Sequence, residues 1–314
     1  METIYQTKLL YPEILWERPV HYYKAQAGRI LVLAGSRGMQ GAALLDCEAI
    51  FRSGTGILTL AFPEELKNSY TGILPEAMTM ALPQTHSGSL ARKAKDSIIE
   101  QLKAVDLVLA GPGLSTNTET VQLIWELLPE INKPLVIDAD GLKALAYGID
   151  AIRGKEGLEG VKSYFKNIKT KIIITPHPGE ASQILAALGE NRVKSKPGYI
   201  EKHKTQAAQV IADSLNMTVV LKGHETVICS RTKTIIDKIG GPELATAGSG
   251  DVLSGIVASF VAQNPAKPFK ATATAVYLHS QAGKLAKEEL GERSVMAGDI
   301  VRHLPGAIKK AEAN

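Results

Sequence analysis

From Arg29 onward, short apolar, β-branched runs alternate with longer segments whose apolar positions recur every three or four residues. Strands of a parallel sheet are covered on both faces and read as continuous apolar runs, whereas the covering helices show a period of about 3.6 residues. The expected strands are Ile30–Ala34, Ile57–Ala61, Asp106–Ala110, Pro134–Ile137, Lys171–Thr175 and Thr218–Leu221. The expected helices between them are Gly41–Gly54, Leu90–Lys103, Thr118–Leu128, Pro178–Leu188 and Ile200–Leu215. After Leu221 the rhythm changes: Thr226–Ser230 and Lys233–Lys238 flank Arg231-Thr232 as an antiparallel hairpin at the sheet edge. Three helices close the chain, Gly250–Gln263, Phe269–Leu290 and Ala297–Ala311. The pattern is that of an α/β fold, a central, mostly parallel sheet flanked by helices on both faces. Ala151–Thr170, charged and glycine-containing, reads either as a surface insertion or as a crossover connection with a short helix. No repeat, low-complexity tract or long Pro/Gly/Ser linker divides the chain, so residues 1–314 read as one domain.

Composition narrows the function classes. With 45% hydrophobic and 22% charged residues in 314, a disordered or collagen-like chain is excluded. A net charge of +4 with dispersed basic residues argues against a nucleic-acid surface and leaves a local positive cleft for phosphorylated ligands open. Cys47 and Cys229 form no Cys-x-x-Cys pattern, which disfavours a disulfide framework or zinc site and points to the cytoplasm. The first twenty residues mix acids, bases and prolines where an export leader needs an apolar core. The longest apolar stretch, Val252–Ala262, falls short of the roughly 20 residues a membrane span needs.

In an open parallel sheet, ligands collect beyond the carboxyl ends of the strands, so the turns there carry the candidate chemistry. Gly35-Ser36-Arg37-Gly38-Met39-Gln40-Gly41-Ala42-Ala43 is either a tight turn or a backbone cradle for a phosphate or ring; it is neither a dinucleotide fingerprint nor a P-loop. Gly111-Pro112-Gly113-Leu114 presents a rigid backbone ledge. Asp138-Ala139-Asp140 sets two carboxylates where a Mg²⁺-bound phosphate would be oriented, although Asp140 also suits a helix N-cap. His177, between Pro176 and Pro178, is expected to touch a ligand, the alternative being a surface histidine. Lys222, in Lys222-Gly223-His224-Glu225-Thr226, meets nucleotide phosphates or is a solvated turn residue. Thr246-Ala247-Gly248-Ser249-Gly250-Asp251 runs into a helix start and builds an anion hole from backbone donors and the helix dipole. Within it, Asp251 is either a first-turn carboxylate or a general base for a hydroxyl attacking a phosphoryl group.

Together these turns resemble the ribokinase-like superfamily and, within it, the ADP- or ATP-dependent NAD(P)H-hydrate dehydratases. The resemblance runs from about His21 to Pro305 and rests on LVLAGSRGMQGAALL (31–45), AGPGLST (110–116), VIDADGLKAL (136–145), ITPHPGE (174–180), LKGHETVI (221–228), ATAGSGDVLSGIVAS (245–259) and AVYLHSQAG (275–283). It implies that Ala42, Ala43, Gly113 and His177 contact the hydrated dinucleotide, which Asp251 faces as catalytic base. It implies that Lys222, Gly223, His224, Glu225, Thr226, Gly248 and Gly250 hold an adenine nucleotide. It further implies Mg²⁺ for phosphoryl transfer, without a protein cage of ligands, and a homotetramer. Ser115, where glycine is usual, and Glu243, on an approach usually less acidic, depart from the pattern. The residues before His21 are too few for the epimerase domain of longer relatives, so a separate NAD(P)H-hydrate epimerase is expected.

The implied reaction fits these residues. Hydroxide on the carbon beside the ring nitrogen leaves poorly; phosphorylation, with Asp251 as base, makes it a phosphate that the nitrogen lone pair expels. The rival readings are a small-alcohol or vitamin kinase, which would leave a stable phospho-product, and a nucleotide-binding regulator without turnover.

Overall fold

A computed structural model describes residues 2–191 and 195–313. One ten-stranded sheet runs through the molecule in the order β1-β10-β9-β8-β7-β6-β5-β2-β3-β4. Its strands are β1 (Glu2–Gln6), β2 (Arg29–Leu33), β3 (Ile57–Pro63), β4 (Met78–Leu82), β5 (Leu107–Ala110), β6 (Leu135–Ile137), β7 (Ile172–Ile174), β8 (Thr218–Leu221), β9 (Val227–Cys229) and β10 (Lys233–Asp237). Alternate residues feed two cores. Leu31, Leu33, Val108 and Ala110 join one apolar cluster, and Ile30, Val32, Leu107 and Leu109 join the other. That period of two on fully buried strands is why each run is apolar throughout.

The first cluster is closed by α3 (Lys95–Leu102), α4 (Thr118–Leu127), α5 (Asp140–Asn167), α6 (Pro178–Ala187), α7 (Pro197–Lys202) and α8 (Lys204–Leu215). The second is closed by α1 (Gln40–Arg52), α2 (Lys67–Tyr70), α9 (Ser249–Gln263), α10 (Pro268–Leu290) and α11 (Ala297–Glu312). Helix α9 is sheathed on nearly every side, with Val252, Ile256, Val257 and Val261 fully buried, so its apolar stretch is a core helix. Among the described residues no helix is long and apolar enough to cross a membrane.

Three expectations change. The hairpin forms, β9 antiparallel to both β8 and β10, but β1 adds in parallel outside it, pairing Glu2 with Lys233 and Gln6 with Asp237. Neither β1 nor β4 is visible in the periodicity, because both are edge strands with mostly exposed side chains. Ala151–Thr170 is not a surface insertion: α5 continues past a break at Gly157 and buries Val161 and Phe165 in the first core. The Ile200–Leu215 helix divides at His203, whose φ of −131° and ψ of 36° lie outside the helical range.

Candidate active site

The carboxyl ends of the strands carry the unusual turns to one edge of the sheet. Gly35 N donates to Pro112 O at 2.9 Å, which locks the loop after β2 to the turn after β5. Gly113 has φ +62°, and a Cβ there would lie 2.6 Å from Met39 O, so only glycine lets these two loops stack. The ledge therefore has a structural reason of its own. Ser115 also stands at φ +72°, in the left-handed region that favours glycine.

Lys222 organises the centre. Its Nζ lies 2.8 Å from Asp138 Oδ1 and 4.0 Å from Glu180 Oε2, and 3.0 Å from where a Cβ on Gly250 would sit. Its backbone N–H binds Pro176 O at 2.8 Å, so one residue joins the ends of β6, β7 and β8 to the start of α9. Burial alone would lower the Lys222 pKa, but Asp138, Glu180 and Asp251 around it hold the ammonium above its ordinary value. Lys222 is thus no solvated turn residue. Burial, helped by the Asp138 charge, raises Asp251 to about 6, and burial raises Glu180 to about 7. Beside them Asp46 is wholly buried, and desolvation followed by the Asp251 charge drives its pKa well up.

The two carboxylates after β6 are already engaged. Asp138 takes Lys222; Asp140 accepts Ser115 N at 2.9 Å and Lys143 Nζ at 2.8 Å. Asp140 is the first residue of α5, and the N-cap position belongs to Ala139, which adopts φ 49° and ψ −122°. That strained backbone sits between the paired acids, at the heart of the charged cluster. His177 does have a structural reason to be there. It caps α6, its Nδ1 accepting from Gly179 N at 2.9 Å while Glu180 Oε2 accepts from His177 N at 2.8 Å. Burial and the nearby Lys222 lower its pKa, so the imidazole is neutral at pH 7.

A cleft of about 570 Å³ opens beside this cluster. Of the residues singled out, His177, Lys222, Gly223, His224, Glu225, Thr226 and Gly250 line it. Ala42, Ala43, Gly113, Gly248 and Asp251 do not. Ala43 is fully buried in α1 and Gly113 is packed under Met39, whereas Asp251 stands in the first turn of α9, adjoining the Asp138–Lys222 pair. Leu244, Leu253 and Val276 give the far wall an apolar surface suited to a flat ring. Sequence reasoning assigned no role to His279 on that wall. Its Nε2 donates to Ser249 O at 3.1 Å, and burial lowers its pKa to about 4, so it is a neutral clamp on the anion-hole turn. The only signal was a histidine inside the apolar AVYLHSQAG run. Glu243 is likewise structural: its carboxylate accepts Gly241 N at 2.8 Å and faces Lys287, holding the approach to α9.

A parallel sheet between two helical layers, with a glycine-rich helix start facing a cleft at the strand ends, defines a ribokinase-like α/β protein. The family model described as NAD(P)H-hydrate dehydratase matches residues 30–306, and the chain belongs to that family. It is 37% identical over 291 residues to the bifunctional NAD(P)H-hydrate repair enzyme of Moorella thermoacetica, covering 92% of this chain and 51% of the relative. It is 30% identical to the ADP-dependent (S)-NAD(P)H-hydrate dehydratase of Neisseria meningitidis serogroup B, covering 94% and 90% of the two chains. The chain thus spans about half the length of the bifunctional relatives it matches and nearly all of the Neisseria one. The crystal structure of the ADP/ATP-dependent NAD(P)H-hydrate dehydratase from Bacillus subtilis, co-crystallized with ATP/Mg²⁺, superposes with a TM-score of 0.74 at 25% identity over 94% of each chain.

Proposed function

We propose that this chain is an adenine-nucleotide-dependent NAD(P)H-hydrate dehydratase, with ADP as donor, that returns hydrated NADH or NADPH to the reduced dinucleotide. The observation that carries this beyond family membership is Asp251: a carboxylate with its pKa raised to about 6, on a helix N-terminus, next to a buried lysine and a nucleotide-sized cleft. A base with that pKa is ionised at pH 7 yet still basic enough to take a hydroxyl proton. In the proposed sequence Asp251 removes the proton as the substrate oxygen attacks the terminal phosphorus of ADP, and the bond to the AMP oxygen breaks. The ring nitrogen lone pair then expels inorganic phosphate, and loss of a proton from the adjacent carbon restores the double bond. The products are NAD(P)H, phosphate and AMP.

Within this reading the Lys222–Thr226 turn and Gly250 receive the nucleotide, while Ala42, Gly113 and His177 bound the hydrate and Ala43 supports it from the core. The backbone N–H groups of the α9 start offset charge on the transferring phosphoryl. Among the described residues no group of three or more His, Cys, Asp or Glu is arranged to hold a metal. Mg²⁺ would enter on the nucleotide phosphates, where it would neutralise their charge. A cytoplasmic homotetramer belongs to the same reading, and light scattering on the purified protein tests the assembly.

The decisive experiment incubates the protein with hydrated NADH, Mg²⁺ and either ADP or ATP and follows the returning dihydronicotinamide absorbance. Recovery with release of inorganic phosphate supports the reading. A stable phosphorylated product would instead make the chain a kinase, and nucleotide binding without turnover would make it a regulator.

A further inference from the structure

Lys204 is the first residue of α8, just past the break at His203, where the rings of Tyr199 and His203 stack at 4.1 Å. Just past the break, the Lys204 side chain lies against the loop after β8. Lys204 is only 9% exposed, and its Nζ has no acceptor in hydrogen-bond geometry. Among the described residues its ion pair is with Glu201 Oε1 at 3.3 Å, on the shorter helix α7. An ammonium has three donors, and a buried cation left with unfilled donors is costly unless something else supplies acceptors.

What stands against that ammonium is the nucleotide turn. Gly223 has φ +126°, and a Cβ there would lie 3.1 and 3.2 Å from the Glu201 carboxylate oxygens and 3.3 Å from Lys204 Nζ. Gly223 itself lines the cleft, so its side-chain-free backbone stands between the cleft and the Lys204–Glu201 pair. Lys222 already pairs with Asp138, and nearby Lys238 with Glu225. Among the described residues Lys204 is the buried cation whose Nζ has no hydrogen-bond acceptor.

We propose that Lys204 is a further phosphate-binding residue, whose ammonium reaches the polyphosphate of the bound nucleotide past Gly223 and exchanges part of its hold on Glu201 for phosphate oxygens. The proposal rests on the nucleotide-dependent reading above. It gives Glu201 a role too, as the half-exposed anion that pairs with Lys204 while the cleft is empty and competes with phosphate when it is filled.

The test is calorimetric titration of the full chain with ADP and, separately, with adenosine. In Lys204→Met, ADP affinity is expected to fall about 10- to 100-fold, the worth of a charge-assisted hydrogen bond, while adenosine affinity stays within about twofold. Lys204→Arg should recover most of the loss. Glu201→Gln, which removes the competing anion, should tighten ADP by about two- to fivefold. Equal weakening of ADP and adenosine in Lys204→Met, or unchanged ADP binding, overturns the proposal. Should that variant not fold, Glu201→Gln decides alone: ADP affinity that stays level or drops overturns it. A wild-type chain that binds no adenine nucleotide would bring down the functional reading first, and is distinguished from these outcomes by its own titration.

Discussion

Two clefts of nearly equal volume, about 570 and 590 Å³, lie at opposite ends of α9. The first faces the start of the helix at the carboxyl ends of the strands. Its floor is a buried lysine held among carboxylates, two of which have pKa values pushed up to about 6 and 7. The second surrounds the end of the helix and is lined by Trp16, Arg18, Ser53, Gly54 and Gln263 among others. There Arg18 spends its donors on Gly54 O and the Gln263 side chain, at the exposed surface. Volume does not separate the two, but stored electrostatic work does. Burying interacting charges is unfavourable for stability, and a fold retains the arrangement where chemistry needs it.

Replacing Asp251 should break the first cleft most completely. Asp251→Asn is expected to fold and to lose about 10²–10⁴-fold in hydrate turnover, the usual worth of a positioned base. The same variant should gain stability, by about 1–3 kcal/mol at pH 8, because the folded state no longer carries a desolvated carboxylate. The sign follows from the pKa. At about 6 against an ordinary 3.8, the folded chain holds a proton that the unfolded chain releases, so the native carboxyl is harmless below pH 4 and costly above pH 6. Urea unfolding of both proteins at pH 4 and pH 8 should therefore show the gain at the higher pH alone. Wild-type activity should in turn fall as pH drops through about 6, and a pH-rate profile flat to pH 5 would remove Asp251 as the base.

Lys222→Met tests the same cluster through stability. It leaves Asp138 buried without its partner, and loss of one member of a buried pair costs about 3–5 kcal/mol. Adding Asp138→Asn should return much of that loss, and a double-mutant cycle in chemical denaturation measures the coupling. If the two substitutions prove additive, the Lys222–Asp138 contact is not the keystone that its 2.8 Å geometry indicates.

The carboxyl-end turns were legible in sequence because glycine, proline and single charged residues interrupt otherwise apolar runs. The Gly35 loop, the Gly111 turn, Asp138, His177, Lys222 and Asp251 all stand at that edge. What escaped lies off those turns. His279 lines the cleft and Lys204 stands behind Gly223, both on helices, where a lone polar residue carries no signal until the packing is known. The cap made by His177 with Glu180 hid in plain spacing, since a three-residue step to a glutamate marks a capping box more often beside serine or threonine. Strands β1 and β4 escaped because an edge strand need bury only one side, so composition does not mark it.

A smaller effect is expected at Ser115, which carries the strain of φ +72° in the turn after β5. Ser115→Gly removes that strain but loses the Asn117 N bond to the serine Oγ and adds unfolded-state freedom. The balance should be a gain of at most about 1 kcal/mol in thermal unfolding. A destabilised variant would mean that the Ser115 side chain, rather than its backbone bond to Asp140, holds the turn.

The smallest effect should come from the second cleft, and it bears on the whole contrast. Arg18→Ala removes two hydrogen bonds, to Gly54 O at 2.6 Å and Gln263 Oε1 at 2.9 Å, and a guanidinium 5.1 Å above the Tyr22 ring. All are solvent-exposed or half-exposed contacts, where water replaces the lost partners, so stability should fall by less than about 1 kcal/mol. Hydrate turnover should not change, because nothing at that end of α9 touches the Lys222 cluster. A variant that kept its stability but lost turnover would place function at both ends of the helix, and buried charge would then no longer separate a working cleft from an idle one.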